Sequence, residues 1–593
     1  MNEEPKSIWK KSWTGLHWLR AWLIVVAATF FAVLIVTLFI PGRPRSLSDW
    51  WPTLVLTLLV SAAVATVFVG LWAFIRSFFC WRNFRRLLFG AACLATLIAL
   101  FYAEEDWRGK HDWEKFKREW EAKGEKFNFA DFVPLPVPDD QNFALTPIVI
   151  SSYATCLDKN GHEIVPRNTN VVNRLLMAVD HNYDGGPPNG TGDWLTARTS
   201  DLKVWQNYYR TLAATTNEFP VAAQLQSPAA DVLLALSKYD SAIEELRQAS
   251  HLSDSRFPLD YDIDDPAEIL LPHLAALKKT AEVLQLRAIA ELELNQTEKA
   301  SDDLNLIFRL TDSVRTEPFV ISHLVRFSMT HIALQPIWEG LAKHKWSDAQ
   351  LVALDAELGK LDFPANYEFS VRGERAADIK IVDYLEQKRS RYQQFFGLLY
   401  DGSDTRAVMN NFMATANIYL APKGWFYQNE IVLAQMNLQW NLPMVDAAHY
   451  IVSPKFALQA GREAGVSMRA TPFNFFNFFA RLLLPSLGSF AQKAAYNQSS
   501  VNFVRVAIAL EHYRLAHGEF PESLDALAPQ FIAKLPHDII NGQPLHYRRT
   551  SDGQFVLYSV GWNETDDGGE IGPNKYGTAD ISKGDWVWRY PSK

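Results

Sequence analysis

Carboxylates set at short intervals are the residues of this chain with the most chemistry to offer. Asp180-His-Asn182-Tyr-Asp184-Gly185 places side-chain oxygens at the first, third and fifth positions and a glycine at the sixth. That is the opening half of an EF-hand calcium loop. The twelfth position is Thr191, where such a loop needs a bidentate glutamate, so a plain Asn/Asp/Gly loop is the simpler reading. Further on, Asn563, Glu564, Asp566, Asp567, Glu570 and Asp580 surround a glycine-rich stretch. Calcium takes six to eight oxygens from irregular loops of this kind; a solvated acidic turn is the alternative. Glu374 and Asp378 stand one helical turn apart and offer a carboxylate pair. Arg372, Arg375 and Lys380 are close enough in sequence to consume both acids as ion pairs, and that is the expectation.

Other chemistry is missing from the sequence. There is no H-E-x-x-H, C-x-x-C, G-x-S-x-G or phosphate-binding loop. His512 and His517 are five apart, on different faces of a helix. Cys80, Cys93 and Cys156 provide no disulfide framework, and Cys156 reads as a buried, inert thiol. A net charge of −8 argues against a nucleic-acid partner. No catalytic residue and no organic cofactor is expected, and calcium is the one candidate ligand.

The elements that must position these groups are mainly helical. From 228 to 495 apolar residues recur at helical spacing, in segments Ala229–Ser250, Pro266–Leu294, Thr297–Val314, Pro318–His344 and Ser347–Leu361, the last with Ser347 as a plausible N-cap. Short turns between them imply antiparallel packing, in a bundle or solenoid-like domain. Arg287–Asn295 and Lys299–Phe308 resemble a tetratricopeptide-type hairpin, with Ala288 and Ala300 permitting close approach. No clean 34-residue period accompanies it. Residues 139–227 are loop-rich. Residues 103–138 read as a stalk helix, with Trp113, Phe116 and Trp120 on one face, and a stiff Pro-rich linker through Val133–Pro138.

From Asn502 the character changes. An amphipathic helix Val504–His517 ends at Gly518, a short Pro-opened helix follows, and 545–560 alternates as a β-hairpin around Ser551-Asp552-Gly553. The order Tyr513-Arg514-Leu515, Gly518, Pro521, Leu535-Pro536, Asp538, Gly542, Pro544, Tyr547, Tyr558-Ser559, Gly561 resembles the globular half of major (G-type) pseudopilins of type II secretion. The resemblance implies a small C-terminal α+β pseudopilin-like domain at 496–593. It also implies calcium in the loop after Gly561, with Asp566, Asp567 and Asp580 the first ligands to consider. In pseudopilins this unit follows one apolar helix; here it lies behind a large helical region, so fibre assembly is not expected. The whole chain is also similar in layout to bacterial membrane-anchored proteins with the same ending.

Three uncharged apolar runs, Ala21–Ile40, Trp51–Ile75 and Leu87–Tyr102, read as transmembrane helices forming an anchor at 21–102 after a cytoplasmic tail at 1–20. Lys6, Lys10, Lys11 and Arg20 before the first run, and Arg76, Arg82, Arg85 and Arg86 between the second and third, place those segments in the cytoplasm. The bulk of a multi-pass inner-membrane protein then lies outside the cytoplasm, periplasmic or extracellular. Spans without ionisable groups suit an anchor and not an ion path. The sequence therefore leads to a non-enzymatic, membrane-anchored binding or scaffold protein with other envelope proteins as partners, and the pseudopilin resemblance implies a place beside a secretion or pilus-like system. The alternative is a hydrolase-like enzyme with a cleft in the helical domain.

Overall fold

The computed structural model describes residues 15–38, 47–78, 81–150, 190–216, 218–392, 418–467, 478–483, 487–574 and 579–591. Asp180, Asn182, Asp184 and Cys156 lie outside the described residues. The chain divides into two units, Met1–Glu104 and Glu105–Lys593.

The first unit is made of helices. In α1 (Gly15–Leu38) and α2 (Leu47–Phe78) Val26, Thr57, Ser61 and Ala65 are buried, and Trp22 Nε1 donates to Thr66 Oγ1 across the pair at 3.0 Å. α3 (Trp81–Glu121) begins here and continues into the second unit. Its apolar residues Leu87, Leu88, Phe89, Leu94, Leu97, Ile98 and Leu100 are all exposed. Two helices are long and apolar enough to cross a membrane, through Leu54–Ala73 and from Phe84 onward. The apolar part of α1, His17–Val33, is shorter than that. His17 and Arg20 bound it on one side, and residues 39–46 lie outside the description.

The second unit is mainly helical with small sheets. Its helices are α4 (Leu202–Thr216), α5 (Pro228–Leu236), α6 (Asp240–Ala249), α7 (His273–Glu293), α8 (Thr297–Ser313), α9 (Val320–Ala342), α10 (Asp348–Leu358), α11 (Phe363–Gln387), α12 (Lys423–Met436), α13 (Pro454–Ser467), α14 (Phe478–Leu483) and α15 (Leu487–His517). α7 and α8 form the hairpin read from the sequence. Asn295 turns the chain in the left-handed region, and Ala288 and Ala300 are fully buried. α10 opens on Ser347, whose hydroxyl and the Gln350 side chain satisfy each other's backbone N–H groups.

Two boundaries differ from the sequence reading. The expected stalk and linker at 103–138 are packed onto the body: Trp113, Phe127, Phe129 and Phe132 are buried, and Arg256 Nε donates to Pro134 O at 3.0 Å. An aromatic stripe of that size has more to gain from a core than from water. The division at 495/496 is crossed by α15, an unbroken helix of 31 residues. β3 (His546–Arg549), β4 (Phe555–Ser559) and β7 (Trp586–Arg589) form an antiparallel sheet. Through Trp586 and Trp588 it packs on Tyr496 and Trp194, with ring centroids 5.4 Å apart in each case. Trp338 Nε1 of α9 donates to Arg589 O at 3.0 Å. The sheet thus closes onto the helical core. β1 (Val445–Asp446) pairs with β2 (Ile451–Val452), and β5 (Ile571–Pro573) with β6 (Ala579–Gly584).

Candidate functional site

α8 buries Ala300, Leu304, Ile307 and Leu310 and leaves Asp302, Asn305, Arg309 and Asp312 at helical spacing on its less covered side. Beside that stripe opens a cleft of about 530 Å³, lined by charged and hydroxyl side chains and by Leu252, Phe308 and Leu361. Ser250 and Ser253 after α6 form one wall, and Arg315, Glu357 and Lys360 another. Arg309 is the best-held of the charged residues. Its Nη2 donates to Leu252 O (2.8 Å) and Asp254 O (3.0 Å), and its guanidinium lies 4.3 Å over the Phe143 ring. Burial pulls its pKa below the usual arginine value. Each lining carboxylate already has a cation: Arg315 Nε lies 2.8 Å from Asp312 Oδ1, and Lys360 Nζ 2.6 Å from Glu357 Oε1. Three cations against two paired carboxylates suit recognition of a polar or anionic group. The lining holds no histidine or cysteine for acid–base or nucleophilic work.

A serine, a glutamate and a histidine do meet in the core. Ser322 Oγ donates to Glu317 Oε2 at 2.5 Å, and Glu317 Oε1 lies 2.8 Å from His273 Nε2. The hydroxyl faces the acid and not the imidazole, so the order is not that of a serine–histidine–acid triad. All three side chains are buried, as are His323 and Arg326 beside them. Burial and the Arg326 charge pull the His323 pKa down to about 3. This is a polar network that ties α7 to α9.

Glu374 and Asp378 are not consumed by the neighbouring cations, contrary to expectation. Arg375 Nη2 donates to Glu125 Oε2 (2.8 Å) and Lys126 O (2.6 Å), Arg372 Nε to Glu125 Oε1 (3.2 Å), and Lys380 lies 5.5 Å over the Phe129 ring. Gly373 lets α11 approach Pro318 so closely that a Cβ there would overlap the Pro318 carbonyl. Glu374 Oε2 accepts from Val320 N at the start of α9 (3.1 Å). Asp378 is buried, with no partner for Oδ2. Burial, and then the neighbouring Glu374, hold its pKa well above the usual carboxylate range. A second such pair went unread in the sequence: Glu430 of α12 is buried, neither of its carboxylate oxygens finds a hydrogen-bond partner, and Asp383 of α11 is close enough for its charge to act on it. Burial and the Asp383 charge raise it likewise. The available signal was Glu430 standing between Phe426 and Leu433 on an apolar stripe.

The three carboxylates proposed for calcium are placed separately. Asp566 Oδ1 accepts from Tyr558 OH (3.2 Å) and Gly568 N (2.9 Å). Asp567 Oδ2 accepts from Asn563 Nδ2 (2.8 Å). Asp580 Oδ1 accepts from Ser582 N (3.0 Å) and Oγ (2.6 Å), and Lys583 Nζ lies 3.1 Å from its Oδ2. Among the described residues no three acidic, histidine or cysteine side chains converge on a metal-sized site. The loop's organising carboxylate is one the sequence reading missed, the buried Asp585, which accepts from Asp567 N (3.1 Å) and Gly569 N (2.6 Å). Residues that carry the pseudopilin resemblance also do structural work. Asp538 accepts from Ile540 N, Ser559 Oγ and Val560 N, and Tyr547 OH donates to Pro521 O. No family model, curated protein or solved structure matches the chain.

Proposed function

We propose that this chain is a membrane-anchored binding or scaffold protein whose helical body takes a polar or anionic group of its partner into the cleft beside α8. The observation that carries the reading is the lining of that cleft: Arg309, Arg315 and Lys360 with serine and asparagine, and Asp312 and Glu357 each paired with a cation. An exposed apolar run in α3, with Arg82, Arg85 and Arg86 before it, supports anchoring with the body on the non-cytoplasmic side.

The test uses the full-length protein in nanodiscs, titrated by calorimetry with inorganic phosphate, citrate and an acidic peptide. Binding that weakens with salt and is lost in the Arg315→Glu/Lys360→Glu variant is expected, since both side chains are exposed rim cations. No binding of any of the three, or binding indifferent to the double reversal, would overturn the ligand assignment. Alkaline carbonate extraction of membranes tests the anchor separately. The protein is expected to stay in the pellet, and its release would remove that half of the reading.

A further inference from the structure

The cleft beside α8 stands where three helices end. α6 stops at Ala249, α8 at Ser313 and α10 at Leu358, and residues just beyond each end contribute to the lining. A helix carries partial negative charge at its carboxyl end. Arg309, Arg315 and Lys360 outnumber Asp312 and Glu357 by one, and the helix ends offset part of that excess. The cleft is therefore matched to about one negative charge. A carboxylate carries one; a phosphate monoester carries close to two and would leave its second charge facing helix carbonyls.

The cations differ in freedom. Arg309 is fixed, its Nη2 held by Leu252 O at 2.8 Å and Asp254 O at 3.0 Å. The Arg315 and Lys360 side chains are 55% and 67% exposed, and so are only loosely tied to Asp312 and Glu357. Ion pairs that far into solvent are weak, so a ligand carboxylate can displace either acid, above the constant charge of Arg309. The lining also holds apolar surface, from Leu252, Phe308 and Leu361. That surface is matched by a ligand with an apolar group next to its charge. Asn305, exposed on α8, adds an amide that both donates and accepts, as a peptide unit requires of its partner. At about 530 Å³ the cleft has room for roughly the last two or three residues of a chain.

We infer that the cleft binds the free C-terminus of a partner protein whose last residue is apolar. Arg315 and Lys360 hold the carboxylate, Leu252, Phe308 and Leu361 cover the last side chain, and Asn305 pairs with the peptide unit before it. The inference rests on the reading of this cleft as a site for a polar or anionic group. It is tested by calorimetry on the full-length protein in nanodiscs with four ligands. These are acetyl-Ser-Gly-Ser-Ala-Leu with a free carboxylate, the same peptide as its C-terminal amide, the same peptide ending in glycine in place of leucine, and inorganic phosphate. The leucine acid is expected to bind. The amide should bind about tenfold more weakly or worse, having lost its charge-assisted pairs. The glycine-ended acid should bind about fivefold more weakly, having lost apolar burial. Both comparisons change only the ligand, so they do not depend on a variant that could misfold. In the Arg315→Glu/Lys360→Glu variant the preference for acid over amide is expected to disappear. Equal binding of acid and amide, equal binding of the leucine and glycine ends, or a preference for acid that survives the double reversal would overturn the inference. Phosphate bound, and lost in that variant, with no peptide bound would overturn it too while leaving the anionic-group reading of the cleft standing. No binding of peptide, phosphate or citrate would remove that reading and the inference with it.

Discussion

Asp303 on α8 and Glu430 on α12 are both carboxylates closed off from water, and the molecule accommodates them in opposite ways. Asp303 is given cations: Arg287 Nε lies 3.0 Å from Oδ2 and Arg247 Nη2 3.1 Å from Oδ1. Glu430 is given another acid, Asp383, and burial together with that neighbouring charge raises its pKa. The difference lies in where the arginines are spent. Around α7 and α8 they point into the acid cluster. On α11 both Arg372 and Arg375 turn away to Glu125, holding the end of α3 to the body. Burial raises both pKa values, but Arg287 and Arg247 oppose the rise at Asp303, whereas Asp383 adds to it at Glu430. Either route avoids an uncompensated buried ion.

The comparison breaks most sharply under one kind of substitution, acid to amide, made in both places. Asp303→Asn leaves two guanidinium groups facing a neutral amide in the core. A loss of about 3–5 kcal/mol is expected, seen as a lower denaturation midpoint with an unchanged denaturant slope. A loss below about 1 kcal/mol, the scale of a surface pair, would mean that the arginines relax outward and that Asp303 is not the keystone of its cluster.

Glu430→Gln should go the other way, and increasingly so as pH rises above the unfolded carboxylate value. The amide has no proton to lose. In the native protein the raised pKa means that the folded state holds a proton which the unfolded chain releases near the usual carboxylate value. The stability from that proton is complete below the unfolded pKa and is lost as pH rises through the folded one. The slope is about 1.4 kcal/mol per pH unit for each proton retained. Glu291, beside Asp303, adds to the same slope. Burial and then the Asp303 charge push it up to about 8, so its share is lost between the unfolded carboxylate value and that pH. Melting profiles from pH 5 to 8 should therefore fall for the native protein and fall less for Glu430→Gln and for Glu291→Gln. Parallel profiles would show that neither acid carries its proton in the fold.

Local features of both regions were legible in the sequence. Helical spacing, the Ser347 cap, the small residues Ala288 and Ala300 and the hairpin around Gly553 are decided within a few residues, and the structure carries them. The partners of the acids are decided elsewhere. Sequence spacing pairs Glu374 and Asp378 with Arg372 and Arg375, but Glu125 takes both arginines from some 250 residues upstream. The composition does change near Asn502, yet α15 has been running since Leu487, and the sheet ends up on Trp194, Trp338 and Tyr496. Nothing local to Trp586 or Trp588 names those neighbours. The cleft was missed for a related reason: Arg309 alternates with core residues on a helix buried on most sides, and its backbone partners lie in the turn after α6.

The acidic loop supplies a third way of keeping a carboxylate, and the smallest effect. Asp580 stays ionised at the surface: hydrogen bonds from Ser582, then Lys583, hold its pKa below the usual carboxylate range. The sign of its linkage is opposite to that of Glu430. A depressed pKa gives stability that is present above the unfolded value and lost as pH falls through the folded one. Asp580→Asn should accordingly change stability at pH 7 by no more than about 0.5 kcal/mol, because the charge is solvated and its partners can turn to water. Whatever effect remains should vanish toward pH 3, where Glu430→Gln is likewise silent because the native glutamate is already protonated. A profile in which Asp580→Asn grew more destabilising on acidification would place Asp580 with the buried, proton-holding acids and undo the contrast between them.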